Sequence, residues 1–166
     1  MAVIGDLHAD FTDLMKSLNN TGWPTERTLI FLGDYIDRGD HPIEVLLLLF
    51  LLKLRYRKRV VLLRGNHETY EQCALYGLID HLEGAYPEED KHVLFFTLNN
   101  VFDHLPLAAI ISDQILCCHG GVSQFANSRS EIASIQRPPR WMEPTTTLYQ
   151  IAILTDILWS DPGSQE

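Results

Sequence analysis

The chain has 166 residues, 46% of them hydrophobic, which is enough to bury a core and too apolar for a disordered protein. Its formal net charge of −9 argues against nucleic acid as the main partner, because phosphate backbones require a basic surface. The most apolar stretch, Val45 to Leu52, is shorter than the about 20 residues that span a bilayer, so no membrane partner is expected. Its three cysteines form no disulfide framework and no targeting segment is recognised, which predicts a cytoplasmic or nuclear location.

Short apolar runs alternate with amphipathic segments, a pattern that predicts an α/β architecture. Strands are predicted at Ala2–Ile4, Thr28–Leu32 and Val60–Leu63, followed by a hairpin of Leu107–Ile111 and Ile115–Cys118. Helices are predicted from Phe11 to about Leu18 with Asp10 as cap, from Pro42 to about Arg57 with Asp40 as cap, from Tyr70 to Leu82, around Leu94–Leu105, and at Ser130–Ile135. Pro138-Pro139 and Pro144 mark a loop, and Leu148–Leu158 fits either a helix or a strand.

Four polar clusters each follow an apolar run. They are Gly5-Asp6-Leu7-His8, Gly33-Asp34-Tyr35-Ile36-Asp37-Arg38-Gly39, Gly65-Asn66-His67-Glu68 and His119-Gly120-Gly121. In open α/β sheets the ligand site lies at the ends of the strands, so we expect these clusters to meet at one edge of the sheet.

Several residues of the clusters are candidate metal ligands. Asp6 and His8 are two positions apart, and an extended backbone would point both side chains to one face. The carboxylate of Asp34 could bridge two cations, while Asn66 offers a carbonyl oxygen and His119 an imidazole nitrogen. The alternative for Asp6 and His8 taken alone is a solvated loop.

Three further residues fit phosphate chemistry rather than metal binding. Arg38 has the planar fork that grips a phosphate, although a surface ion pair is the common alternative. His67 is placed to donate a proton to a departing alkoxide, with Asp37 orienting the ring and raising its pKa. The alternative for His67 is a capping or core histidine.

These clusters, together with Leu63-Arg64 before the third, Cys117-Cys118 before the fourth, and Trp159-Ser160-Asp161-Pro162, resemble in order the signatures of the metal-dependent serine/threonine protein phosphatases, the phosphoprotein phosphatase family. The resemblance runs from the first residues to Pro162. Ala9 departs from the pattern, since members normally have glycine there. A positive φ at this position would cost alanine roughly 1 kcal/mol.

The resemblance implies roles for individual residues. Asp6, His8 and the bridging Asp34 would hold one metal, and Asp34, Asn66 and His119 would hold the other. The two ions, manganese, iron or zinc, would activate a water that hydrolyses phosphoserine or phosphothreonine in proteins. His67 would be the acid supported by Asp37, Arg38 and Asn66 would orient the phosphate, and Tyr76 would line the substrate cleft.

The same resemblance implies a calcineurin-like metallophosphoesterase fold, in which two β-sheets are sandwiched between helices. Residues 1–166 are expected to form part of that catalytic domain, without the downstream strands of the second sheet. Phosphoprotein substrates and regulatory subunits are the expected partners. A non-catalytic relative that binds phosphopeptides or protein partners is the alternative hypothesis.

Overall fold

The computed structural model describes residues 1–138 and 146–161. Its strands are β1 (Ala2–Ile4), β2 (Leu29–Phe31), β3 (Val60–Leu62), β4 (Ala108–Ile111) and β5 (Ile115–Cys118). Its helices are α1 (Phe11–Thr21), α2 (Pro42–Arg55), α3 (Tyr70–Leu75), α4 (Leu78–Ala85), α5 (Glu88–Asp103), α6 (Arg129–Ala133) and α7 (Leu148–Trp159). No helix in these ranges combines the length and the hydropathy needed to cross a membrane.

The first sheet is parallel and has the strand order β1-β2-β3, with Phe31 paired to both Ile4 and Leu62. Helices α1 and α2 connect these strands, as parallel pairing requires. Side chains alternate across the sheet, so Phe31 packs against the helical layer while Ile30 packs on the opposite side. All three strands therefore run in the same direction and end at the same edge.

The second sheet is the antiparallel hairpin of β4 and β5, and it lies against the free face of the first sheet. Cys117 packs with Ile30 and Leu63 between the two sheets, whereas the next residue, Cys118, packs with the cluster formed by α7. The order of layers is helices α1–α5, first sheet, hairpin, then α6 and α7. The prediction of two sheets between helices is confirmed.

Ser112 and Asp113 connect the two strands of the hairpin in a tight turn. Both have positive φ, at 51° and 57°, and the N–H of Gln114 donates to the carbonyl of Ile111 at 3.0 Å. Positive φ at both central residues matches the right-handed twist of the strands they join. The turn predicted at this point is confirmed, and it directs β5 toward His119.

Three details of the sequence prediction change. The helix predicted over Tyr70–Leu82 is two helices, because Gly77 adopts a φ of 125° that interrupts the helical path. Helix α2 begins at Pro42 as predicted, but His41 rather than Asp40 occupies the N-cap position. The segment from Leu148 is a helix, α7, while Pro139 and Pro144 of the predicted loop lie outside the described residues.

Helix α2 offers a matched pair for testing the core. Leu49 is fully buried against the first sheet, whereas Leu51 is 61% exposed two residues later. We expect Leu49→Ala to lower the free energy of unfolding by about 2–5 kcal/mol, because it removes packed methyl groups and leaves a cavity. Leu51→Ala should stay within about 0.5 kcal/mol of the parent in urea unfolding. Equal losses in the two variants would contradict this assignment of faces.

Candidate metal centre

The loops that follow β1, β2 and β3 are joined by hydrogen bonds at the edge of the first sheet. The backbone carbonyl of Asp34 accepts from the N–H groups of Leu7 and His8, each at 2.9 Å. From the other side, the carboxylate of Glu68 accepts from the N–H groups of Asp34 and Tyr35, at 2.7 and 2.8 Å. The loop after β2 is therefore fixed between its two neighbours.

The carboxylate of Asp34 lies at the centre of the predicted ligands. Its Oδ2 is 3.6 Å from Nε2 of His8, and its Oδ1 is 3.4 Å from Nε2 of His119. Asp6 completes the group, with its carboxylate 3.9 Å from His8 and 3.8 Å from His119. Two ligands about 2.1 Å from one cation lie about 3.4 Å apart in tetrahedral geometry, so these spacings suit shared cations.

The donor atoms around Asp34 are available to a cation. His8 donates from Nδ1 to the carbonyl of Ile36 at 3.1 Å, which leaves the lone pair of Nε2 facing the carboxylates. Oδ1 of Asn66 and Nδ1 of His119 are buried and have no hydrogen-bond partner among the described residues. Buried polar atoms of this kind are rare, because each loses its hydration without compensation. The residues present therefore fit a metal site.

Asp6 and His8 come together by a different route from the predicted one. Strand β1 ends at Ile4, and His8 has a φ of 43°, so the two residues do not lie on one extended segment. A sharp turn through His8 and Ala9 returns the side chain toward Asp6. The expected proximity is observed, and the extended-backbone explanation for it is wrong.

His67 lies beside this cluster and is held by two polar contacts. Its Nδ1–H donates to Oδ2 of Asp37 at 2.8 Å, and the guanidinium of Arg38 donates to its Nε2 at 3.3 Å. Burial of the ring lowers the pKa of His67, but the hydrogen bond to Asp37 and the charges of Asp34 and Asp37 outweigh it. The net pKa of His67 is therefore raised above its ordinary value.

Two groups of three residues could each hold a cation, because the donor atoms within a group all lie within 4.8 Å of one another. One contains Asp6, Asp34 and His119; the other contains His8, Asp34 and His67. Both differ from the predicted ligand sets: the first combines Asp6 with His119, which are assigned to different ions, and the second includes His67, which is predicted to stay free for proton transfer. We retain that assignment because Asp37 already binds one ring nitrogen of His67, and the cationic Arg38 at the other would repel a metal.

The break between α3 and α4 also belongs to the site, and sequence analysis missed its role. Gly77 starts α4 in such a way that the N–H of Leu78 donates to Oδ1 of Asp37 at 2.9 Å. Asp37 thereby bridges a helix N-terminus and His67, which suits its negative charge. Tyr76 precedes the break, half exposed, with its ring centre 5.7 Å from that of His67. The glycine inside the predicted helix is the feature of the sequence that could have indicated this break.

Left-handed backbone is concentrated in these loops. Five non-glycine residues have φ between 43° and 68° there: His8, Ala9, Asp34, Asp37 and Arg38. Ala9 is fully buried at a φ of 58°, which confirms that this position favours glycine. Such conformations persist only where surrounding contacts fix them, and they are common at functional sites.

The loop that carries His119 is held by α7, which packs on the side of the hairpin that faces away from the first sheet. The N–H of Gly120 donates to the carbonyl of Ile157 at 2.7 Å, and the hydroxyl of Ser123 donates to Asp156 at 2.7 Å. A Cβ on Gly120 would lie 2.7 Å from the backbone of Leu158. Contacts with α7 therefore hold the loop that presents His119 to Asp34.

The contact between Gly65 and Asp34 allows no side chain. A Cβ on Gly65 would lie 2.2 Å from Oδ1 of Asp34, whereas a Cβ on Gly84, inside α4, would meet nothing within 4 Å. We expect Gly65→Ala to lower the free energy of unfolding by about 1–3 kcal/mol through overpacking. Gly84→Ala should be neutral or stabilising by up to about 1 kcal/mol in the same urea titration. Tolerance of both changes would show that the loops are less tightly packed than described.

Comparison with known proteins gives a consistent assignment. The sequence matches the family described as calcineurin-like phosphoesterases over residues 1–166. It is 41% identical over 163 residues to a Caenorhabditis elegans protein named "Putative serine/threonine-protein phosphatase C06A1.3", covering 98% of this chain and 42% of that protein.

A solved structure of a Saccharomyces cerevisiae protein serine/threonine phosphatase, described as similar to human phosphatase PP5, superposes with a TM-score of 0.82 at 30% identity. The superposition covers 98% of this chain and 49% of that one, so the chain spans less than half the length of either relative. The agreement in structure confirms the predicted fold. Because the family match extends over all 166 residues, the chain belongs to the calcineurin-like phosphoesterase family.

Proposed function

We propose that this chain carries the metal centre of a serine/threonine protein phosphatase, which hydrolyses phosphoserine and phosphothreonine esters in proteins. The observation that supports it best is the Asp34 carboxylate, which faces His8 with one oxygen and His119 with the other. Next to it stands the His67–Asp37 pair, a proton donor with its orienting partner. The Caenorhabditis elegans and Saccharomyces cerevisiae relatives described above are both named as serine/threonine phosphatases.

The family implies divalent metal ions, and we assign their ligands from the donors that converge on Asp34. Asp6, His8 and Asp34 would hold one ion, while Asp34, Asn66 and His119 would hold a second. Manganese, iron or zinc suits this mixture of carboxylate, amide and imidazole donors. Ions bound there would supply an activated water and would neutralise charge on the phosphoryl group.

Proton transfer to the leaving group is assigned to His67. Asp37 accepts from Nδ1 and stabilises the imidazolium, so the second ring nitrogen can carry the proton that the departing serine or threonine oxygen requires. Arg38 contacts that nitrogen in the absence of substrate. When the guanidinium turns to the phosphate oxygens, it would release Nε2 for protonation.

Substrate binding is assigned to three residues around this pair. Arg38 is exposed at the rim and can bind two phosphate oxygens with its planar fork. The amide of Asn66 can donate to a third oxygen, while its buried carbonyl oxygen, which has no hydrogen-bond partner among the described residues, would be free to bind a cation. The half-exposed ring of Tyr76 beside His67 would pack against the phosphorylated residue. Phosphoproteins are accordingly the proposed substrates, with regulatory subunits as further partners.

A phosphate-release assay on a phosphoserine or phosphothreonine peptide tests the proposal. We expect turnover in the presence of Mn²⁺, none after chelation by EDTA, and recovery when Mn²⁺ is restored. Asp34→Asn should abolish both turnover and metal uptake measured by elemental analysis, because one amide oxygen cannot replace a bridging carboxylate. Asp113→Asn, in the distant hairpin turn, is the matched control and should behave as wild type.

The result that would contradict the proposal is a folded wild-type chain that takes up metal and binds the phosphopeptide without releasing phosphate. That outcome would favour the alternative of a binding module. Turnover that survives Asp34→Asn would instead place the chemistry elsewhere in the chain.

Replacing His67 separates acid catalysis from metal binding. We expect His67→Gln to lower turnover by about 10²- to 10⁴-fold, the usual contribution of a general acid, while metal content is unchanged. His92→Gln, on the exposed side of α5, serves as the control. Loss of metal from the His67 variant would assign this residue to the ligand triad with His8 and Asp34 instead.

A further inference from the structure

Glu68 ends one of the four polar clusters, and no role in the proposed chemistry is assigned to it. Its side chain is completely buried, and its two oxygens accept three backbone N–H groups. Oε2 accepts from Asp34 at 2.7 Å and from Gly65 at 2.9 Å, while Oε1 accepts from Tyr35 at 2.8 Å. The carboxylate thus joins the loop after β2 to the loop after β3.

These hydrogen bonds require a carboxylate. Three N–H groups converge on one side chain, and a buried carboxylate offers acceptors only, whereas an amide would turn a donor toward at least one of them. The bonds also compensate the loss of hydration that a buried carboxylate suffers. Because both oxygens face backbone N–H groups, Glu68 is not placed to bind a cation or the substrate.

The backbone held by Glu68 is strained. Gly33 has a φ of 120° and Asp34 a φ of 53°, and Gly65 approaches Asp34 so closely that no Cβ fits between them. A loop in such a conformation relaxes unless other contacts fix it. Glu68 supplies contacts on both sides of the strained segment, to Asp34 and to Gly65.

Glu68 is itself fixed from α5. The Nε of Arg64 donates to the backbone carbonyl of Glu68 at 2.8 Å, and the guanidinium also pairs with Asp103 at 2.6 Å. A second hydrogen bond joins the same two parts of the chain: the hydroxyl of Tyr35 donates to the carbonyl of Leu63 at 2.6 Å. Asp34 is thereby connected to the helical layer through hydrogen bonds and the Arg64–Asp103 ion pair.

We propose that Glu68 is a positioning residue whose buried carboxylate holds the loops of Asp34 and Asn66 in the metal-binding arrangement before any cation is bound. The inference rests on the metal site of the proposed function and deepens it. On this inference, hydrogen bonds within the chain, rather than the metal, keep the loops of the site ordered.

The first test uses hydrogen exchange of wild-type amides, followed by NMR, in metal-free protein and with Zn²⁺. The amides of Asp34, Tyr35 and Gly65 should be protected at least tenfold over the exposed loop amides without metal. Addition of Zn²⁺ should change this protection little. Free exchange of the three amides in metal-free protein, with protection only after metal addition, would overturn the proposal.

The second test measures Co²⁺ binding by calorimetry and by the visible absorption of the bound ion. Glu68→Gln preserves size but places a donor against a backbone N–H, so we expect at least tenfold weaker binding and an altered absorption spectrum. Glu71→Gln, exposed at the start of α3, should bind as wild type. Leu49→Ala, which lowers stability far from the site, controls for stability alone.

The outcomes are distinguishable. Wild-type affinity and spectrum in a folded Glu68→Gln, or a loss no larger than that of Leu49→Ala, would overturn the positioning role and leave the proposed function intact. If Glu68→Gln does not fold, amide protection in the wild type decides alone. Failure of the wild type to bind Co²⁺ or Mn²⁺ would instead reject the proposed metal site, while protected amides would still support the role of Glu68 as a loop clamp.

Discussion

The position of the Asp34 carboxylate is the constraint on which the rest of the site depends. Two neighbouring loops fix the backbone of Asp34: the N–H groups of Leu7 and His8 donate to its carbonyl, and its own N–H donates to Glu68. The fourth cluster reaches the Asp34 carboxylate only through the side chain of His119, whose loop is held by α7. The surroundings of this one carboxylate therefore depend on the packing of both sheets and both helical layers.

The parallel sheet explains why this convergence occurs. Strands β1, β2 and β3 point the same way, so their following loops meet at one edge, whereas the antiparallel hairpin delivers only the loop after β5. The loops that follow β1 and β2 contain residues with left-handed backbone, and such conformations need several surrounding contacts to hold them. The dense hydrogen bonding by Glu68, Asp37 and the Asp34 carbonyl offsets that strain.

Much of this arrangement could be predicted from the sequence. Strand positions followed from short apolar runs, and the clustering of Asp6, His8, Asp34 and His119 followed from their places after those runs. The route by which His8 turns back was not predictable from spacing, because a φ of 43° depends on contacts with the neighbouring loop. The break at Gly77 was missed because a single glycine inside a predicted helix does not always end it. The role of Glu68 could not be predicted from its motif, because the three N–H groups that donate to it come together only in the folded chain.

Electrostatics gives the final reason to connect this site with a cation. Asp6, Asp34 and Asp37 lie close together beside three histidines, in a chain whose formal net charge is already −9. Burial and the negative charge of Asp34 raise the pKa of Glu68, and the three backbone N–H groups that donate to its carboxylate oppose this shift. A bound cation would relieve this repulsion directly, and ligand binding at a hundred times Kd stabilises a native state by about 2.7 kcal/mol. Hydrogen bonds within the chain thus offset the strain in the loops, whereas a bound cation would reduce the repulsion among the carboxylates.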